Sequence, residues 1–168
     1  MMDYLNLLPT SKITKKVQED LFLYGWTILA TPYRDILFLH TFGLQYNYGH
    51  PEFEMLGAPE ELAVQILNFL SHRVRQGESF PIGTTLSGLI DNYDLKLVMN
   101  PFDPLGDSIT NGRLRVIWPD ANHHYPWDEG CSLDCLRQQL CPDSTLPDRK
   151  LYETIALLNQ LGTPPDLG

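Results

Sequence analysis

The sequence predicts an α+β domain: a mainly antiparallel sheet, with one long helix packed on it and further helices toward the two ends. Two observations carry this. Short runs rich in β-branched and aromatic residues cluster over 26–56 and return over 95–118. Only one strong amphipathic stretch, 59–76, separates them, where a parallel sheet would need a helix after every strand. The 168 residues suit one domain over 1–168, with 1–10 and 163–168 as loose tails.

The first element is a helix from Ser11 to about Leu23. Ser11 is its cap, and Ile13, Val17, Leu21 and Tyr24 recur at near-helical spacing. Gly25 ends it. Trp26 to Thr31 reads as a strand stopped by Pro32. A turn at Tyr33-Arg34-Asp35 leads to a second strand, Ile36 to Leu44. That run is almost wholly apolar, as in a strand covered on both faces. Gln45 to Gly49 reads as a polar aromatic loop, and Phe53 to Leu56 as a third strand.

The long helix spans Pro59 to Gln76. Proline suits its first position, Glu60 and Glu61 meet the positive end, and Gly77 follows. Leu62, Ile66, Phe69 and Leu70 belong to one broad apolar face that should lie on the sheet, whereas His72 points to solvent. Strands follow at Leu95–Met99 and Leu114–Trp118; the alternation of the latter turns Arg113 and Arg115 away from the buried face. A short helix over Ser132–Leu140 and a final one over Asp148–Leu161 complete the list.

Composition excludes several functions. The chain carries 12 Lys and Arg against 21 Asp and Glu, a net charge of -9, so it lacks the basic surface of a general nucleic-acid binder. It is 43% hydrophobic and 11% aromatic, too apolar for a disordered chain. No apolar run approaches a membrane span, and the start, MMDYLNLLPT, has no basic leader region. A cytoplasmic protein is expected. Cys131, Cys135 and Cys141 are odd in number, which argues against a disulfide framework; half a zinc knuckle is too little for a metal site, so no metal is expected.

The segments YGWTI, HTFGLQYNYGHPEFEMLG, VRQGESF and VIWPDANHHYPW together resemble the bacterial domain of unknown function 4262 family. The matching positions are Tyr24, Gly25, Trp26, Thr41, Gly43, Leu44, His50, Pro51, Glu52, Gly77, Trp118, Pro119, Asp120 and Pro126, covering about residues 20–130. His40, where the family often has Tyr, and a Gly/Asp-rich stretch before Trp118 depart from it. The resemblance implies homology and no activity. The order of strands, helix and GESF is also similar to the flavin-reductase type of split β-barrel. By that analogy flavin mononucleotide is the cofactor to consider.

Three polar clusters fall at strand ends. Thr41 and Gly43 close the second strand, where a glycine marks either a bulge or close approach by a ligand such as a phosphate. His50 and Glu52 open the third; they are an acid–base pair or a backbone-satisfying turn. Asp120 and His124, with Trp118 and Trp127, form either a site or an aromatic loop folded over the sheet. If the strand directions allow, Thr41, Gly43, His50, Glu52, Trp118, Asp120, His124 and Trp127 line one pocket. Three functions then compete: a domain binding a small molecule or flavin at the strand ends, an acidic protein that binds a basic protein partner without catalysis, and a small hydrolase or lyase built on His50, Glu52 and Asp120.

Overall fold

The computed structural model describes residues 15–33, 36–99 and 112–139. Helix α1 spans Lys15–Leu23, followed by strands β1, Thr27–Tyr33, and β2, Ile36–Phe42. A short helix α2, Leu44–Tyr48, precedes β3, Phe53–Leu56, and the long α3, Glu60–Arg75. Strands β4, Thr85–Ile90, β5, Tyr93–Met99, and β6, Leu114–Ile117, are followed by α4, Leu133–Gln139. The strands form one open sheet in the order β1-β2-β3-β6-β5-β4. Every neighbouring pair is antiparallel except β3 and β6, which run parallel. The fold is therefore α+β with a mostly antiparallel sheet, as the clustering of strands predicts. It does not close into a barrel, so the split-barrel likeness stops at the order of the elements.

The sheet is covered on both faces because its strands alternate two sets of buried residues. Leu39, Phe53, Met55, Leu95, Leu97, Leu114 and Val116 pack with Ala63, Ile66, Leu67, Leu70 and Val74 of α3. On the opposite face Val98 and Ile117 pack with Cys131, Cys135 and Leu136 from α4 and the segment before it. Val17 and Leu21 of α1 close that face near Phe42.

Several expectations shift. Strand β1 continues through Pro32 because it lies at the sheet edge, where a residue without an N–H loses no ladder bond. Strand β2 stops at Phe42, and the loop expected over 45–49 is mostly the helix α2. Strand β4 was masked by Ser87 and Gly88, although Asp91-Asn92 with Asn92 in the left-handed region is a turn signal. Tyr24 and Phe69, expected on buried stripes, are 49% and 44% exposed; the Arg73 guanidinium sits 5.4 Å from the Phe69 ring instead. Arg113 and Arg115 are buried, not turned to solvent, because α4 covers the second face. Ser11, Ile13 and the helix expected over 148–161 lie outside the described residues, as do the two tails.

Ile66 is 3% exposed in the centre of the main core. Ile66→Ala should therefore cost about 2–5 kcal/mol in chemical denaturation. A loss below about 0.5 kcal/mol, the range of surface substitutions, would place this face outside the core.

Candidate functional site

The turn between β2 and β3 is organised by one carboxylate. Gly43 has a φ of 116°, and a Cβ there would collide with the Gly25 carbonyl oxygen, so its glycine serves close packing of two chain segments. Having no side chain, it cannot cap α2, and Glu52 does so from the far side of the turn. Glu52 Oε1 accepts the N–H groups of Gly43 at 3.0 Å and Gln45 at 2.9 Å. Its Oε2 accepts the Thr41 hydroxyl at 2.7 Å, and Thr41 Oγ1 accepts the Phe53 N–H at 2.9 Å. Burial pushes the Glu52 carboxyl above the ordinary range, against the pull of these donors and of the Arg113 charge.

His50 is equally committed. Its Nε2 accepts the Phe80 N–H at 3.0 Å, which fixes the proton on Nδ1, and Nδ1 donates to the Pro51 carbonyl at 2.8 Å. The ring packs against Phe53 and Phe80 at centroid distances of 5.1 and 6.0 Å. Burial lowers its pKa, opposed by the Pro51 bond. Thr41, Gly43, His50 and Glu52 thus share one end of the sheet, as the antiparallel β2–β3 pair requires. Both ring nitrogens of His50 bond to backbone and neither to Glu52.

Asp120, His124, Trp118 and Trp127 stand at the opposite end. Because β3 and β6 are parallel, with Phe53 beside Leu114, residues before β3 and residues after β6 lie at different ends of the pair. The Leu114 N–H bonds the Glu52 carbonyl, and six residues of extended chain from Leu114 to Asp120 span about 20 Å. The single pocket that depended on strand direction therefore splits in two.

Asp120 staples the loop after β6. Oδ1 accepts the N–H groups of Asn122 and His124, each at 2.9 Å, and Oδ2 that of Ser132 at 2.8 Å. Burial opposes ionisation, but these donors and the nearby His124 ring prevail and hold the carboxyl below its ordinary range. The loop lies against the β4–β5 hairpin. Tyr125 stacks on Trp127 with centroids 5.2 Å apart and donates its hydroxyl to the Asp94 carbonyl, and His123 stacks on Tyr93. Trp118 exchanges two backbone bonds with the Gln139 side chain, at 3.0 and 2.8 Å.

Cys131 and Cys135 are buried free thiols, while Cys141 lies outside the described residues. Burial, reinforced by Cys135 and nearby carboxylates, pushes Cys131 up to about 12. Burial raises Cys135 as well, although Gln139 Nε2 donates to its sulfur at 3.0 Å. Among the described residues no three His, Cys, Asp or Glu side chains gather as metal ligands.

Two features escaped the sequence reading. The first is a buried charge cluster at the β3–β6 seam. Arg115 Nε donates to Glu54 Oε1 at 3.1 Å, Arg113 Nη1 lies 3.8 Å from Glu54 Oε2, and Arg115 also donates to the Gln139 carbonyl. The second is a groove of about 910 Å³ between α3 and β1, closed at one end by α1. Trp26, Ile28, Ala30, Val64 and Phe69 form much of its wall, and Asn68 accepts the Trp26 indole N–H at 3.1 Å. Its mark in the sequence is Phe69 beside Asn68, at the margin of the apolar stripe of α3.

Fold and geometry define an open-sheet α+β protein whose sequence-marked polar residues serve its own backbone. Residues 22–104 match the family model described as Domain of unknown function (DUF4262), the family that the motifs resemble. The match runs from the last two residues of α1 through β5 and stops before Trp118-Pro119-Asp120. No curated protein and no solved structure matches the chain.

Two measurements check these assignments. The folded-state pKa of His50 is lowered, so the unfolded chain binds its proton more readily. Its contribution to stability is full above about pH 6.5 and is lost as pH falls through the lowered value. His50→Ala should lose about 1–3 kcal/mol at pH 7.5, by orphaning the Phe80 N–H, and the wild-type-minus-variant difference should shrink toward acid. A difference that stays constant from pH 7.5 to 4.5 refutes the buried neutral imidazole. Cys131, with a pKa near 12, holds about three orders of magnitude less thiolate at pH 8 than a free thiol. Iodoacetamide should label it only after unfolding, as read by peptide mass spectrometry; rapid labelling of the folded chain would contradict its burial.

Proposed function

We propose that this protein acts by binding rather than by acid–base chemistry, and that its ligand occupies the groove between α3 and β1. One observation carries the reading: the functional atoms of His50, Glu52 and Asp120 are each spent on backbone or turn partners, whereas the groove is open and faced with apolar side chains. An apolar wall with polar groups beside it, Asp20, Glu60, Asn68 and His72 among them, is the usual make-up of a ligand site. Lys16 lines the groove but pairs with Asp20 at 3.0 Å. That disfavours a phosphate-bearing ligand such as flavin mononucleotide there. At the strand end, the Gly43 N–H that a phosphate would need is already donated to Glu52. The net charge of -9 supports a second reading, a basic protein partner on the same surface.

Nile red, an uncharged amphiphilic dye, tests the groove. Its emission should rise and shift to the blue on addition to the folded protein. Phe69→Asp should remove most of that change while leaving the far-ultraviolet circular dichroism intact, since Phe69 is 44% exposed and stands outside the main core. An unchanged response in the variant would move the site elsewhere. Quenching of flavin mononucleotide emission by the wild-type protein, abolished by Thr41→Val, would move it to the strand end.

A further inference from the structure

The groove borders an edge strand, and the two edges of the sheet differ. Strand β4 has a register shift between Leu86 and Ile90 and a left-handed Gly88, which interrupt its outer ladder. Strand β1, sequence TILATPY, pairs with β2 residue for residue from Thr27 to Tyr33 and carries no charged side chain. Charges and bulges are the devices that keep an edge from pairing, and β1 lacks both. Among the described residues its guard is Pro32, near the end of the strand.

Pro32 also identifies which groups face outward. A proline is accommodated in an edge strand where its missing N–H would have pointed away from the neighbour. Peptide groups alternate along a strand, so the N–H and C=O groups of Ile28 and Ala30 point outward with Pro32. The side chains of these same two residues line the groove. A chain laid beside β1 would thus bond to Ile28 and Ala30 and drop alternate side chains between β1 and α3.

The charge at the margin selects among such chains. The Trp26–Asn68 bond ties the start of β1 to the later part of α3, and Gly57, just before α3, donates to the Leu37 carbonyl at the start of β2. Helix α3 therefore runs back along β1, and Glu60 lines the groove toward the Pro32 end. Glu60 is exposed, Glu61 is beside it, and the chain as a whole carries a charge of -9.

We propose that β1 and α3 together form a receptor for an extended peptide of a partner protein. The peptide adds as a seventh strand beside β1, places apolar side chains at alternate positions in the groove, and sets a basic residue against Glu60. The proposal rests on the groove being the binding surface. Main-chain bonding to Ile28 and Ala30 supplies affinity, and the groove and Glu60 supply selectivity.

Selection of a displayed random-peptide library on the immobilised full-length protein tests this. Enriched peptides should carry apolar residues at alternate positions and a Lys or Arg. A synthetic peptide of the enriched sequence, N-methylated at alternate amides, should bind at least about tenfold more weakly. Ala30→Pro should cause a similar loss with the circular dichroism retained, and Glu60→Lys should reverse the preference for a basic residue. Enrichment of helical patterns, no enrichment, or indifference to N-methylation and to Ala30→Pro overturns strand addition. So does a concentration-dependent dimer that Ala30→Pro abolishes, since β1 would then be paired with a second copy. Nile red binding retained alongside any of these leaves the groove as a site and removes only the peptide; its loss to Phe69→Asp is read separately.

Discussion

Two antiparallel halves, β1-β2-β3 and β6-β5-β4, are joined in the sheet where β3 lies parallel to β6, and both of those strands are four residues long. At this seam Glu54 is the direct register partner of Arg115, and both are fully buried. Removing two charges from water is costly, and their attraction offsets the cost only when the geometry is good. A slip of one residue would turn one of the two side chains to the other face, into the apolar layer beneath α3, and strand its partner without a counter-charge at the seam. The ion pair therefore acts chiefly on register: it makes alternative alignments of a short seam expensive. Arg115 extends the same cluster to the Gln139 carbonyl, so the position of α4 depends on it as well.

The polar residues that stand out in the sequence turn out to have architectural work. Glu52 replaces a cap that Gly43 cannot provide, His50 ties the start of β3 to the backbone at Phe80, and Asp120 gathers three N–H groups of one loop. Each is a buried or half-buried group whose hydrogen-bonding capacity is largely filled by main chain. Such residues are hard to replace for the same reason that catalytic ones are: their partners cannot move to compensate. A pattern of special residues at strand ends is therefore as much a signature of how a sheet is terminated as of chemistry.

The legible part of the fold was the local part. Helix α3 and strands β2, β3 and β6 follow from periodicity, and the family resemblance from the order of YGW, HTFGL and HPE; the family match spans 22–104. What periodicity could not show was contact between distant segments. Helix α2 was hidden because its cap, Glu52, follows it in the chain. The burial of Arg115 was hidden because the layer that covers it arrives some twenty residues later, with α4. The direction of β6 relative to β3 decided whether Asp120 could reach His50, and alternation within a strand carries no information about parallel or antiparallel pairing. The groove is a space between elements, and Phe69 was its only mark in the sequence.

The unlike edges of the sheet also bear on self-association. A sheet with two smooth edges can grow without limit, each added molecule presenting a fresh edge to the next. Here the outer ladder of β4 is broken around Gly88, so a chain that joined β1 would leave no second template behind it. Edge pairing is confined to a single addition: a heteromeric strand, or one two-fold symmetric contact in which β1 meets β1 and both open edges are consumed. Repairing the β4 ladder, by removing its bulge, would turn a self-terminating sheet into one able to form fibres.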